Sequence, residues 1–277
     1  MSEGEITAAD AAKWALAAQE GDGAVALVTV IRAPEGAAVG RRLVVTESAI
    51  HGTLGGPELD GQVAARARES LAVREHTVLE IGRAAGVWEF YIESQHPIPV
   101  LHIVGAGHIA RSLCRLGAML GFRVTVTDDR PEFAHSVWFP EAESIRVVDF
   151  DHVFDRVAVG PDSYVVLVTR GHKFDYDCIL QLLKMDSRPA YLGMIGSRRR
   201  VRATFEALVR DGVEPARLEN VHAPIGLDIG AETPEEIALA IAAELVATRR
   251  GGSGARLSDE ERVLDRVRHA RGSQEGR

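Results

Sequence analysis

VLHIVGAGHIA, residues 100–110, is the stretch that decides the fold of this chain. Its first half, 100–104, is an apolar run typical of a buried strand. The glycine turn GAGHIA then matches the G-x-G-x-x-G/A pattern, and apolar residues recur every three or four positions as far as Leu120, as on a helix. Such a turn holds a phosphate-bearing cofactor at the start of the helix, or is merely a tight structural turn. The predicted contacts are Gly105, Ala106, Gly107, His108 and Ile109.

Strand and helix patterns alternate through the remainder of the C-terminal part. Alternation of this kind is typical of a mostly parallel sheet with helices on both faces. The predicted fold class is therefore α/β, with a Rossmann-type sheet in the C-terminal part. Its further strands are predicted at 123–127, 145–148, 164–168 and 191–195, and its further helices at 176–185, 201–210 and 235–248.

The N-terminal part has a different pattern, typical of a small α+β domain. Two prolines in QHPIP, residues 95–99, disfavour both helix and central strand and mark the boundary. We therefore predict an N-terminal domain at 1–95, a Rossmann-type cofactor-binding domain at 96–249 and a mobile tail at 250–277. The N-terminal elements are predicted as helices at 8–19 and 58–73, antiparallel strands at 24–33 and 41–46, and a hairpin of 77–81 with 87–92.

The composition excludes several classes of protein. The 277 residues carry a net charge of -8, which gives no general attraction to nucleic acid or to an anionic membrane. Cys114 and Cys178 lie far apart in helical patterns, so neither a disulfide framework nor a metal site is indicated. The first ten residues lack the pattern of a secretory signal, and the apolar runs are too short to span a membrane. We expect a cytoplasmic protein without nucleic-acid or membrane partners.

Asp128 is the second candidate for the cofactor site. It ends the second predicted strand, where a dinucleotide enzyme places the carboxylate that binds ribose hydroxyls. Because Asp129 is adjacent and Pro131 follows, shaping of the turn is the alternative role for one of the two aspartates.

The run GMIGSRRR, residues 193–200, leads from a strand into a helix. Arginines in the first turn oppose the positive end of the helix dipole, each at a cost of roughly 0.3–1 kcal/mol unless an anion compensates. The run therefore predicts an anion site, and a solvated basic patch is the alternative. The residues predicted to contact the anion are Gly196, Ser197, Arg198 and Arg199.

Three further segments hold candidate ligand contacts. Arg170 and His172 follow a strand in TRGH, where His172 and Asp175 could transfer protons or equally well cap the next helix. Asp228 lies between two glycines in an otherwise apolar loop, a setting that favours contact with a ligand or a backbone amide. In the N-terminal part, a glycine loop before a helix can wrap an anion or simply turn. Its predicted contacts are Gly52, Gly55 and Gly56.

Taken together, these motifs resemble the XdhC/CoxI family of xanthine dehydrogenase accessory factors. The resemblance covers about residues 24–248 and rests on the order of five motifs: GTLGG, GAGHIA, TRGH, GMIGSRRR and the run from Pro224 to Pro234. It implies a small N-terminal domain, a Rossmann domain and a cytoplasmic homo-oligomer. It also implies a chaperone that binds the molybdenum cofactor, as molybdopterin or its cytidine dinucleotide form. Such chaperones protect the cofactor while a cysteine desulfurase serves its sulfuration, and then deliver it to a molybdenum hydroxylase such as xanthine dehydrogenase.

Carried onto this chain, the resemblance makes residues 105–109, Arg198 and Arg199 contacts for the pterin phosphate or its nucleotide extension. Gly55 and Gly56 would approach the same ligand. One departure matters, because part of the family has a cysteine in a pattern close to GGCxE where this chain has Pro57. Without a thiol in the motifs, the chain is expected to hold and deliver cofactor rather than to catalyse sulfuration.

The competing hypothesis is an NAD(P)-dependent oxidoreductase that uses the same glycine turn and Asp128. The arginine run and the small N-terminal part, which offers little beyond His51 and Glu58 as proton donors, argue against it. A ligand-sensing regulator is a third hypothesis, but the sequence has no recognisable nucleic-acid-binding unit. Catalysis is left open, and a non-catalytic accessory factor is favoured.

Overall fold

The structure is a computed structural model that describes residues 4–34, 38–84, 86–155 and 157–260. The chain divides between Ile98 and Pro99 into two compact units, called here the N-terminal unit and the C-terminal unit. None of the helices in the described ranges has the length and apolar character needed to cross a membrane.

The N-terminal unit is an antiparallel sheet with one helix packed on each face. Its elements are α1 (Ala8–Glu20), β1 (Val25–Arg32), β2 (Arg42–Val45), β3 (Ile50–Gly52), α2 (Pro57–Val73), β4 (Thr77–Arg83) and β5 (Gly86–Gln95). The strand order is β3-β2-β1-β5-β4, and every pairing is antiparallel, as predicted for β1 with β2 and for β4 with β5. Apolar residues of α2 and of the sheet form the main core of this unit, and α1 covers a smaller cluster.

The C-terminal unit confirms the predicted Rossmann-type fold. Its elements are β6 (Val100–Val104), α3 (His108–Met119), β7 (Arg123–Asp128), β8 (Ser144–Val147), β9 (Ser163–Leu167), α4 (His172–Lys184), β10 (Tyr191–Met194), α5 (Arg198–Arg210), β11 (Val221–His222), α6 (Pro234–Arg250) and α7 (Leu257–Glu260). All six strands pair in parallel, in the order β11-β10-β9-β6-β7-β8. One core cluster includes residues of α3 and α6, and a second includes residues of α4 and α5.

The strand order places a topological switch point at β6. The chain runs from β6 outward through β7 to β8, then returns to β9 on the other side of β6. The loops after β6 and β9 therefore lead in opposite directions and leave a crevice at the carboxyl edge of the sheet, where open α/β sheets bind ligands. The glycine turn lies directly at this crevice.

The end of the chain is described only in part. Helix α6 continues to Arg250, and α7 begins at Leu257, within the segment predicted as a tail. The rest of the predicted tail, 261–277, lies outside the described residues.

Candidate functional site

Gly105 is required by the fold itself. Its φ is +108°, and a Cβ at this position would lie 2.5 Å from the carbonyl oxygen of Val168, in the loop after β9. Its amide donates to the carbonyl of Thr127 at 2.7 Å, which fastens the turn to the end of β7. Gly105 therefore lets the loops after β6 and β9 approach each other.

Gly107 has no such structural reason to be glycine. Its φ of −77° is open to any residue, and a Cβ there would meet no atom within 4 Å. It is the N-cap of the twelve-residue helix α3, and no side chain caps the amides of that first turn. The bare backbone leaves room for phosphate oxygens to approach those amides, as a phosphate-bearing cofactor requires. Ala110 is completely buried, which fits its predicted role in close helix–sheet packing.

Asp128 is fully buried, and both of its carboxylate oxygens are engaged. Oδ2 accepts the amide of Ala106 at 2.7 Å, so the carboxylate holds the glycine turn. Arg130 donates Nε to Oδ1 at 2.9 Å and Nη2 to Oδ2 at 3.0 Å, and its backbone amide also donates to Oδ1 at 3.0 Å. The predicted contact of Asp128 with a ribose would require the guanidinium of Arg130 to move.

Asp129 forms a second ion pair at the same end of the edge. Arg170, in the loop after β9, donates Nη1 and Nη2 to its two carboxylate oxygens at 2.5 and 2.6 Å. These hydrogen bonds are the main cause that lowers the pKa of Asp129 to about 2. The guanidiniums also stack on aromatic rings, Arg130 on Phe133 at 3.7 Å and Arg170 on Phe174 at 4.2 Å. We call Asp128, Asp129, Arg130 and Arg170 the paired-charge cluster.

The three arginines that begin α5 have different environments. Arg200 turns inward, where it donates Nε to Asp175 Oδ2 at 2.8 Å and Nη2 to the hydroxyl of Thr169 at 2.9 Å. Asp175 is completely buried and also accepts the Thr169 hydroxyl at 2.6 Å. This contact ties the start of α5 to the loop after β9, so Arg200 is a structural residue.

Arg198 and Arg199 are exposed at the same helix start. Within the described residues, the side chain of neither takes part in an ion pair or a hydrogen bond. Ser197 is the N-cap, and its hydroxyl accepts the amide of Arg200 at 3.3 Å. Gly196 has φ +156°, and a Cβ at this position would lie 3.0 Å from Cδ of Arg200. Two cations thus stand uncompensated at the positive end of a helix dipole, at the carboxyl edge of the sheet.

His172 and Asp228 are both exposed. His172 is the first residue of α4, and Asp175 is bonded to Thr169 and Arg200 rather than to it. No side chain caps the start of α4, so capping by this pair was wrong, and a role of the two residues in proton transfer stays a prediction. Asp228 lies in the loop between β11 and α6, and the capping box of Thr233 is present at the start of α6. Ligand contact by His172 and Asp228 stays a prediction.

The glycine loop of the N-terminal unit is organised by Asp60, a residue that sequence reasoning missed. Its carboxylate accepts the amide of Leu54 and the hydroxyl of Thr53, both at 2.7 Å. Gly52 is required structurally, because a Cβ would lie 2.7 Å from a backbone carbonyl. Gly56 is the N-cap of α2 and has open space at its Cβ position. Gly55, like Gly52 and Gly56, has positive φ, and ligand contact by the three stays a prediction.

The structure joins most of the predicted C-terminal motifs at one edge. Asp128 contacts the glycine turn, Arg170 crosses from the loop after β9 to Asp129, and Arg200 connects that loop to α5. Sequence reasoning missed Arg130. A signal was available, because a side chain two residues after Asp128 in a turn can fold back onto it.

The fold defines the class of this protein: a Rossmann-type α/β domain following a small α+β unit. The family model described as "XdhC Rossmann domain" matches residues 101–245, and the one described as "XdhC and CoxI family" matches residues 17–82. The chain therefore belongs to the XdhC/CoxI family.

Two curated relatives and one solved structure are similar to the chain. The uncharacterized protein YqeB of Escherichia coli is 28% identical over 76% of this chain and 41% of its own length. A Bacillus subtilis protein, named as a probable subunit of xanthine dehydrogenase, is 32% identical over 58% of this chain and 46% of its own length. The chain thus spans less than half of either relative.

The solved structure shares the fold. It is a crystal structure of a protein described as a xanthine dehydrogenase from Bacillus halodurans. It covers 89% of this chain and 96% of its own, with a TM-score of 0.53 and 17% identity.

Proposed function

We propose that this chain is a cytoplasmic accessory factor that binds the molybdenum cofactor and delivers it to a xanthine dehydrogenase-type molybdenum hydroxylase. The observation that carries the proposal is the combination of an open glycine at position 107 with the uncompensated cations Arg198 and Arg199 on one sheet edge. A glycine turn alone suits many phosphate esters, but the family and the relative named for xanthine dehydrogenase favour this cofactor.

Different residues would make different contacts with the cofactor. Amides at the start of α3, next to Gly107, would donate to phosphate oxygens, and the helix dipole would favour the negative charge. Arg198 and Arg199 would supply the positive charge that an anionic ligand neutralises. Arg170 lies in the loop after β9, His172 begins α4, and Asp228 lies in the loop before α6. When bound, the cofactor supplies the molybdenum centre that the hydroxylase later uses.

The cysteines support a holding role rather than a sulfur-carrying one. Cys114 and Cys178 are both completely buried. Burial raises the pKa of Cys114 to about 12 and also raises that of Cys178 well above its usual range, so neither is a thiolate near neutral pH. A cysteine desulfurase would therefore have to transfer sulfur to the bound cofactor without a relay thiol on this chain. Mass spectrometry after incubation with a desulfurase should find no persulfide on either cysteine.

An NAD(P)-dependent oxidoreductase is the second candidate function. The strand order and the glycine turn favour it, because nicotinamide enzymes use both. The engagement of Asp128 by Arg130 opposes it, since the ribose carboxylate of such an enzyme must be free. The two candidates differ in which ligand binds.

Calorimetry on the purified full chain separates the two candidates. Molybdenum cofactor released from a hydroxylase should bind more tightly than NAD, and Arg198→Ala should weaken that binding by about tenfold, the loss of one charge-assisted contact. Arg115→Ala removes an exposed arginine of α3 that pairs with Glu141 and serves as the matched control. Tight binding of NAD with none of the cofactor would overturn the proposal.

The partners are tested separately. Co-purification from cells, with metal and pterin analysis, should recover a molybdenum hydroxylase and a cysteine desulfurase with the chain. Light scattering of the purified protein should show the proposed homo-oligomer. Recovery of the chain alone, free of pterin, would contradict the delivery role.

A further inference from the structure

We propose that Arg130 is a specificity-determining residue that excludes ligands requiring a ribose diol at Asp128. It thereby restricts the site to phosphate esters that present no diol there, of which a phosphomonoester is the simplest. The inference rests on the proposed function in one respect, because it concerns the ligand class of the same phosphate site. Its physical basis is the pairing between Arg130 and Asp128, which does not depend on the proposed function.

The guanidinium of Arg130 occupies the position that a ribose diol needs. Two vicinal hydroxyls bind a carboxylate by donating one hydrogen bond to each oxygen. Arg130 already does this, with Nε on Oδ1 at 2.9 Å and Nη2 on Oδ2 at 3.0 Å. Both partners are ionised in the arginine–carboxylate pair, whereas only the acceptor is ionised when a ribose hydroxyl donates to the carboxylate, so a ribose cannot displace the guanidinium without a net loss.

Arg130 is held in this pose from three sides. Its own amide donates to Asp128 Oδ1 at 3.0 Å, which closes a tight loop around the carboxylate. Its guanidinium stacks on Phe133 at 3.7 Å. The carboxylate it neutralises is completely buried, so departure of the guanidinium would leave that charge with only the more distant cation of Arg170, whose Nη1 lies 4.0 Å from Oδ1. These contacts therefore hold the guanidinium of Arg130 on the carboxylate of Asp128.

The neighbouring aspartate offers no substitute. Arg170 donates to both oxygens of Asp129 at 2.5 and 2.6 Å and stacks on Phe174 at 4.2 Å. Neither carboxylate at the end of β7 thus presents a free pair of oxygens to a diol. The amides at the start of α3 are unaffected, because Asp128 engages only Ala106 of the glycine turn. The carboxyl edge of the sheet can therefore bind a phosphate group while it excludes a ribose diol.

The test is a gain of NADH binding, followed by fluorescence titration of the full chain. Arg130→Met keeps an apolar stem against Phe133 and removes the guanidinium. It should bind NADH at least about tenfold more tightly than the wild type, the value of one hydrogen bond to a charged group. Arg115→Met, which removes an exposed arginine from Glu141, should leave NADH binding at the wild-type level.

A double variant identifies the group responsible. Asp128→Asn combined with Arg130→Met removes the freed carboxylate, so the gain should disappear while the buried charge is also relieved. Circular dichroism and thermal unfolding check that each variant is folded. If Arg130→Met does not fold, Arg130→Lys carries the test, because a single ammonium cannot cover both oxygens and a smaller gain is expected.

Two results would overturn the inference. One is a folded Arg130 variant with no gain in NADH affinity, and the other is an equal gain in the double variant. Failure of the wild type to bind molybdenum cofactor would instead count against the proposed function. It would leave the NADH comparison unchanged.

Discussion

Charged side chains lie at both ends of the carboxyl edge of the C-terminal sheet, but they are paired at one end and unpaired at the other within the described residues. At the end of β7, every charge of the paired-charge cluster is matched at hydrogen-bond distance. At the start of α5, Arg198 and Arg199 stand exposed, with no ion-pair partner in the part of the chain that the structure describes. In our proposal, the matched end excludes a ribose diol and the unmatched end attracts an anion.

This difference between the two ends suggests how one fold can favour one cofactor over another. The glycine turn between the two ends is common to dinucleotide sites and to other phosphate sites, so it does not select. Selection then depends on which neighbouring charges are already satisfied within the protein. Four predictions test this contrast, from the largest expected effect to the smallest.

The largest effect is expected from breaking the buried pair that supports the unmatched end. Asp175→Ala leaves the guanidinium of Arg200 without its carboxylate and should lower the free energy of unfolding by about 3–5 kcal/mol. Urea unfolding measures this. Glu141→Ala, which breaks an exposed pair with Arg115, is the control and should stay within about 0.5 kcal/mol of the wild type. Equal losses in the two variants would mean that the burial of Asp175 does not increase the contribution of its ion pair to the free energy of unfolding.

The two glycines of the turn should separate stability from binding. Gly105→Ala forces a Cβ against the carbonyl of Val168 at positive φ and should cost at least about 2 kcal/mol of unfolding free energy. Gly107→Ala places its Cβ in open space, so stability should hold while cofactor binding weakens by about tenfold, the loss of one charge-assisted hydrogen bond. Unfolding curves and calorimetry on both variants check this. Unchanged binding in Gly107→Ala would show that phosphate does not approach there.

Removing an unmatched cation should stabilise the free protein. Arg198→Ala relieves the conflict with the dipole of α5 and should raise the free energy of unfolding by roughly 0.3–1 kcal/mol. Arg210→Ala, at the favourable last turn of the same helix, is the matched control and should change stability in the opposite direction. The comparison needs low salt, because ions screen the dipole. A loss of stability in Arg198→Ala would mean that the arginine has a structural partner.

The smallest effect is a pH dependence at the matched end. The pKa of Asp129 is lowered to about 2, chiefly by hydrogen bonds from Arg170. A carboxylate with a lowered folded-state pKa contributes stability that is complete above its unfolded pKa of about 3.9 and is lost as the pH falls toward 2. The difference in unfolding free energy between the wild type and Asp129→Asn should therefore be constant from about pH 5 to 8, of order 1 kcal/mol or less, and shrink below about pH 4. A difference that grows on acidification would contradict the assignment.

Much of the fold was predictable because it rests on local pattern. The glycine turn and the alternation of strand and helix predicted the parallel sheet, and these signals extend over many residues. Strands β3 and β11 were missed, because elements of three and two residues carry no period. Their places are set by hydrogen bonds to a neighbouring strand, β2 for β3 and β10 for β11.

The site was predictable only in outline. The sequence shows that Asp128 ends a strand, but the return of Arg130 onto it depends on the backbone angles of the turn, which no composition rule supplies. For Arg200 a signal was available: it lies four and eight residues before Thr204 and Leu208, both completely buried, and so on the inner stripe of α5. Arg199 lies on the opposite face, but Arg198 lies three residues before the buried Val201. Helical phase would have distinguished the exposed Arg199 from Arg200, but not the exposed Arg198.

The most direct test of the account is a calorimetric comparison of the two ends with molybdenum cofactor as the ligand. The double variant R198A/R199A changes the unmatched end, and R130M changes the matched end. R198A/R199A should lose at least about tenfold in affinity, while R130M should bind the cofactor as the wild type does. Wild-type affinity in R198A/R199A together with a large loss in R130M would contradict it.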